Sequence, residues 1–216
     1  MARKVTLENV YERLLDAFGS QCWWPGDSPW EIACGAVLTQ NTNWSNVEKA
    51  IVNLKRVDAL NAIAVTNMNH SDLAESIRPA GYYNLKAKRL KNLAKWWIDS
   101  DAPDGVKQLD TDVLRTELLA INGIGEETAD SILLYAFEHV TFVVDAYTKR
   151  FLTRHDVVDE NASYTQIKQL FETSLKAELV VFNEFHALIV QLGKRHCRPT
   201  PICEGCPLET LKRKRA

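Results

Sequence analysis

Certain residue types and spacings in this sequence could do chemistry. In Leu118-Leu119-Ala120-Ile121-Asn122-Gly123-Ile124-Gly125-Glu126-Glu127-Thr128-Ala129-Asp130, a pair of glycines flanks one apolar residue between two helical patterns. Glycines so spaced permit a tight turn with exposed amides, and the following helix aims its positive end the same way, which suits a phosphate. Taken alone, the pattern is an ordinary glycine helix terminus entering a hairpin. Asp145 follows the apolar pair Val143-Val144 and stands where it would cap a helix over 146–154, holding a carboxylate fixed at the helix lip. Cys197, Cys203 and Cys206 crowd into one loop beside His196. Thiolates in such a loop suit a metal, zinc if His196 joins them, or the loop packs without one. Cys22 and Cys34 stand apart and read as small buried apolar residues.

The elements that must position these groups are helical. Leu7, Val10, Tyr11, Leu14, Leu15 and Phe18 form one amphipathic stripe. Ser28-Pro29-Trp30-Glu31 predicts a capping box, with the Ser28 hydroxyl accepting from the Glu31 amide and the Glu31 carboxylate reaching back. Further stripes run through Val47, Ala50, Ile51 and Leu54, then Leu60, Ile63 and Ala64, then Leu85 to Ile98, and later through Ile167, Leu170, Phe171 and Leu175 and through Leu188 to Leu192. Thr141-Phe142-Val143-Val144 is strand-like but has no partner strand in the sequence. The expected fold is all-α, with about ten helices, no internal repeat and no low-complexity linker.

The chain of 216 residues is 46% apolar, enough for one or two packed domains. No apolar run approaches the ~18 to 20 residues that cross a bilayer, and no signal peptide pattern is present. The expectation is a cytoplasmic monomer with no disulfide framework and no membrane partner. Lys and Arg number 26 against 28 Asp and Glu, a net charge of −2, which excludes a blanket polyanion binder and leaves room for local basic patches. One such run is Lys194, Arg195, His196 and Arg198 with Lys212-Arg213-Lys214-Arg215; another is Lys86, Lys88, Arg89, Lys91 and Lys95. Runs of this kind are often solvated helix faces, as expected for Lys91 and Lys95, yet they also give DNA a preferred side.

Leu118, Ile121, Gly123, Ile124, Gly125, Thr128 and Ala129, followed by Val143-Val144-Asp145, resemble the hairpin and aspartate of the helix-hairpin-helix glycosylases of the endonuclease III superfamily. The resemblance makes Asp145 catalytic. It also matches Gln40, within Leu38-Thr39-Gln40-Asn41-Thr42-Asn43-Trp44, to a glutamine that enters the duplex in place of the extruded base. Gln40, Asn41, Gly123, Gly125 and Thr128 are thereby expected to bind DNA. Glycosidic cleavage develops oxocarbenium character, so a nearby carboxylate stabilises the charge or orients a water.

Members that also nick the strand carry a hairpin lysine whose amine forms a Schiff base; here that position is Glu127, and a carboxylate cannot form an imine. Trp23-Trp24-Pro25, Trp44 and the stretch Arg78 to Leu90 are similar to the bacterial 3-methyladenine glycosylases of the endonuclease III type. That similarity lines a base pocket with Trp23, Trp24, Pro25, Trp44 and Glu127, and through a gapped match with Lys194. An alkylated purine is cationic and its glycosidic bond weakened, so stacking on electron-rich rings favours the damaged base. Trp96 and Trp97 are instead expected in the core. The cysteine loop resembles the superfamily's iron-sulfur loop, which implies a 4Fe-4S cluster held by Cys197, Cys203 and Cys206, although that loop uses four cysteines and no fourth follows Cys206 here.

The expectation is a two-lobed all-α glycosylase, one lobe over 25–135 containing the hairpin and the other combining 1–24 with 136–216 and the cysteine loop at 197–206. Double-stranded DNA would lie in the cleft between them. The implied activity is monofunctional excision of a damaged base, an alkylated purine such as 3-methyladenine. The alternatives are an endonuclease III-like pyrimidine or mismatch glycosylase, with or without lyase activity, and a non-catalytic DNA-binding module built on the hairpin.

Overall fold

Side-chain caps begin most of the helices. The computed structural model describes residues 5–21, 23 and 26–211, and among these it contains helices but no strand. The α-helices are α1 (Leu7–Phe18), α2 (Pro29–Leu38), α3 (Trp44–Arg56), α4 (Ala62–Asn67), α5 (His70–Ser76), α6 (Tyr83–Asp99), α7 (Thr111–Ala120), α8 (Glu126–Ser131), α9 (Ala146–Arg154), α10 (Tyr164–Ser174) and α11 (Leu179–Arg195). Thr6, Ser28, Asn43, Asn61, Asp110, Asp145 and Ser163 each accept a backbone amide from the turn they precede. The box expected at Ser28 forms by half. Ser28 accepts from the Glu31 amide at 3.2 Å, but the Glu31 carboxylate is drawn away to Lys55 Nζ at 2.9 Å. The complete box lies at Ser163 and Gln166, where both reciprocal bonds are present.

The chain forms two compact units, Trp24–His139 and the combination of Met1–Trp23 with Val140–Ala216. In the first, α2 is buried nearly all round, as a helix at the centre of a bundle must be, and α3, α6 and α8 pack against it. Trp30 meets Trp97 edge to face at 5.2 Å, and Trp97 stacks on Phe137 at 5.2 Å, so Trp97 serves the core as expected. Helix α8 runs into a π-helical turn over Ile132–Ala136, all of it buried.

In the second unit, Phe142 stacks on Phe171 at 3.8 Å and meets Phe182 edge to face at 5.6 Å. Here the strand-like run acquires its explanation. Thr141 Oγ1 and Phe142 N donate to Glu172 Oε1 at 3.2 and 3.0 Å, and Val144 N donates to the Tyr164 hydroxyl at 3.3 Å. Side chains of α10 thus satisfy an extended backbone that has no sheet to join. No helix among the described residues is long and apolar enough to cross a membrane.

Candidate catalytic site

Asp145 ends that extended run and caps α9. Its Oδ1 accepts from the Thr148 amide at 2.7 Å and from the Thr148 hydroxyl at 2.8 Å, while Oδ2 lies 3.7 Å from Nε2 of His186 on α11. The two oxygens therefore have separate tasks, one structural and one facing a second helix. Burial pushes the carboxyl up, but His186 and the Thr148 donors outweigh it and hold the group below the usual carboxylate range. The Asp145 side chain keeps 13% of its surface exposed.

The approach of α11 to α9 depends on Gly193. A Cβ there would stand 2.1 Å from Tyr147 Cδ1, so any other residue would wedge the helices apart just behind Asp145. On the same side of the unit the Trp23 ring lies 6.5 Å from that of His186, and Lys194 Nζ sits 5.6 Å from the Trp23 ring centroid, a cation-π distance. Asp145, Trp23 and Lys194, expected from sequence, are thus brought together with a histidine that was not. One signal for His186 was available: it sits directly between Phe185 and the apolar run Ala187 to Val190, all buried, and a buried imidazole needs a polar partner. Trp24 and Pro25, the other expected pocket residues of this stretch, lie outside the described residues, as do Cys22 and Lys212 to Arg215.

The hairpin unit holds the remaining expected residues. Gly123, at φ +98°, makes the turn between α7 and α8, and its missing side chain also makes room for Arg89, whose Cγ would lie 2.4 Å from a Cβ at this position. Asp130, inside α8, is closed off by Arg115 from α7, with Nε to Oδ1 at 2.8 Å and Nη2 to Oδ2 at 3.1 Å, and this pair ties the two arms of the hairpin. Gln40 is engaged on the turn rather than extended into solvent. Its Nε2 donates to Gly123 O at 3.1 Å and to Thr128 Oγ1 at 2.9 Å, and Arg89 donates to its Oε1. Thr128, expected at a DNA surface, is buried and acts through this clasp. Asn41 is exposed and left-handed at φ 54°, which asparagine tolerates; Gly125, at the start of α8, is exposed too.

Trp44 opens α3, half-buried, with its ring lying where a Cβ on Gly35 would stand 3.3 Å away. Glu127 is exposed in the first turn of α8 beside Glu126. The basic run on α6 is less of a patch than its sequence suggests. Lys86 is 1% exposed and donates to Leu38 O and Ala80 O; Lys91 donates to Thr66 O, Lys95 pairs with Asp99 and Arg89 holds Gln40. Backbone carbonyls thus consume the ammonium groups of Lys86 and Lys91, and Lys95 lies on a solvated face as expected. Lys194, Arg195 and Arg198 are exposed.

Cys197, Cys203 and Cys206 line one cavity of about 760 Å³, with His155, His196, Glu160 and Glu209 also on its wall. Arg154 donates to Cys197 Sγ at 3.3 Å. The donor chemistry is right for a sulfur-ligated cluster, but the arrangement is not: among the described residues no three His, Cys, Asp or Glu side chains form a metal-holding group. Cys34 does not complete the set, being buried on α2 in the hairpin unit with its thiol pushed up by burial and by Glu31. The expected 4Fe-4S ligand set, and the zinc set with His196, are therefore not assembled by these residues as they stand.

Residues 34–177 match the HhH-GPD superfamily of base excision DNA repair proteins. A protein of Methanocaldococcus jannaschii with the provisional description of a DNA repair glycosylase is 50% identical over 203 residues, 93% of this chain and 92% of that one. Endonuclease III of Sulfolobus acidocaldarius is 30% identical over 175 residues, 79% of this chain and 75% of its own. Among solved structures, the 3-methyladenine DNA glycosylase of H. pylori bound to 1,N6-ethenoadenine superposes with a TM-score of 0.77 at 32% identity, covering 88% of this chain and 98% of that one. An endonuclease III in a non-covalent DNA complex shares the fold, with a TM-score of 0.80 at 22% identity over 98% and 97% of the two chains. The hairpin, the capping aspartate and a family match spanning both thus converge: the chain belongs to the HhH-GPD superfamily and is a DNA N-glycosylase of base excision repair.

Proposed function

We propose that the enzyme is a monofunctional glycosylase that removes alkylated purines, 3-methyladenine among them, from double-stranded DNA. The observation that carries this reading is the Asp145 carboxylate, held ionised with Oδ2 uncommitted to the helix cap, in a cluster with Trp23 and Lys194. As the glycosidic bond of an extruded nucleotide stretches, positive charge develops on the sugar, and a fixed carboxylate stabilises it without reorganising. A cationic alkylpurine leaves readily, so stacking on an indole ring would serve to hold the base rather than to activate it. Hairpin amides around Gly123 and Gly125 would bind a backbone phosphate. Entry of Gln40 into the duplex would exchange its bonds to Gly123, Thr128 and Arg89 for contacts with the unpaired base.

Glu127 at the hairpin supports hydrolysis without strand nicking, because no amine is offered there to the sugar. The 32% identity to a 3-methyladenine glycosylase supports the choice of base. Purified protein incubated with a methylated duplex is expected to release 3-methyladenine and leave the strand unbroken, and borohydride is expected to trap no covalent adduct. Release of thymine glycol or mismatched thymine with methylated DNA ignored would overturn the substrate. An adduct that disappears in Lys194→Ala would overturn the monofunctional assignment.

A further inference from the structure

The Asp145 cap leaves a geometric question. Two bonds from Thr148 fix Oδ1, but both come from one residue, and the terminal torsion of an aspartate is soft, so Oδ1 alone does not set the plane of the carboxylate. A second reference point comes from α11, where His186 Nε2 stands 3.7 Å from Oδ2. The imidazole is itself braced, with the Phe142 ring edge-on at 6.3 Å and the Trp23 ring at 6.5 Å. Gly193, seven residues further along α11, sets how near the imidazole can come by letting that helix close on Tyr147.

We propose that His186 is a positioning residue for excision, orienting Asp145 Oδ2 towards the sugar and keeping the carboxylate charged without occupying it. The inference rests on the assignment of Asp145 as the catalytic carboxylate. An arginine in this place would take both oxygens, as Arg115 does with Asp130. A single imidazole nitrogen approaching one oxygen leaves that oxygen's remaining lone-pair directions for the reaction. Loss of His186 would free the carboxylate to turn and would expose an unaccompanied buried charge, which favours the protonated and inactive acid.

A double-mutant cycle tests this, measuring single-turnover excision at saturating enzyme together with binding to a duplex carrying an abasic analogue, on whichever base the wild type excises. His186→Ala is expected to slow excision by about tenfold to a hundredfold, the effect of misplacing a reacting group, while abasic-analogue binding stays within about twofold. In the Asp145→Asn background the same change is expected to alter the residual rate by less than about twofold, because there is no charge left to orient. His186→Gln, which can place an N–H donor at the same position, is expected to recover most of the rate. Equal losses in both backgrounds would reveal a structural role and overturn the proposal, as would an unimpaired His186→Ala. An unimpaired Asp145→Asn would instead remove the catalytic assignment itself, a result visible before His186 is touched. If His186→Ala does not fold, His186→Gln and His186→Phe in the two backgrounds complete the cycle.

Discussion

Asp130 in the hairpin unit and Asp145 in the other unit are both aspartates set inside the protein, and they differ in what their oxygens do. Arg115 takes both oxygens of Asp130 in a bidentate pair, and the result is a rivet between α7 and α8. Asp145 spends Oδ1 on its own helix cap and turns Oδ2 towards a single imidazole. A carboxylate whose acceptor sites are all filled contributes to stability; one left half-open in a charged state is available for work. The two sequence readings of Asp145 are compatible, since capping engages Oδ1 and the proposed catalytic role would fall to Oδ2.

Substituting each aspartate by asparagine should break the comparison most sharply. Asp145→Asn keeps a good cap and loses only charge, so excision should fall by about a hundredfold or more, with a smaller loss of melting temperature than Asp130→Asn shows. Asp130→Asn should do the reverse, lowering stability by about 3 kcal/mol through the broken buried pair while folded protein retains its excision rate. Thermal unfolding and single-turnover kinetics on both variants check this, and the comparison fails if the two effects follow each other.

The tryptophans divide in the same way. Trp97 is walled in by Trp30 and Phe137, whereas Trp44 is half-buried on the Gly35 surface. Trp97→Ala should destabilise by about 3 to 5 kcal/mol, as emptying an aromatic core site does. Trp44→Ala should slow excision of 3-methyladenine by about tenfold, the worth of a stacking platform, yet scarcely change binding to an abasic analogue that presents no base. A Trp44→Ala variant that loses both equally would make Trp44 a structural residue.

Local chemistry was readable in the sequence wherever the partner is also local. The Asp145 cap, the α1 stripe and the apolar faces follow from spacings of three and four residues, which a helix converts directly into geometry. What escaped depends on distant pairs. His186 meets Asp145 from another helix, Glu31 deserts its capping box for Lys55, and Gln40 is held by Arg89 and by a turn at Gly123 far along the chain. The strand-like run Thr141 to Val144 joins no sheet among the described residues, and its hydrogen bonds to Glu172 and Tyr164 have no signature in the sequence. The hairpin lent itself to recognition because its glycine and its apolar residues are all required within one short segment.

The smallest expected effect concerns lysines, and it extends the contrast from acids to bases. Lys194 is exposed above Trp23, while Lys86 is enclosed, its ammonium donating to Leu38 O at 2.8 Å and to Ala80 O at 2.7 Å. Burial, with Arg89 nearby, pulls the Lys86 amine down from 10.5 to about 8. Between those values the unfolded chain still binds a proton that the folded chain has released, so unfolding takes up a proton and stability rises with pH across the window; below about 8 the penalty for the buried charge is fully present. Lys86→Met removes the titration. It also strands two carbonyls, each costing about 1 to 3 kcal/mol, which offsets the relief of burying no charge and leaves the net change at neutral pH small. The informative quantity is therefore the melting temperature of the wild type minus that of Lys86→Met, measured from pH 7 to pH 10 so that every other titrating group cancels. That difference should climb as the pH passes 8. A difference that stays flat would mean that the Lys86 amine keeps its ordinary proton affinity and that the two carbonyls repay its burial in full.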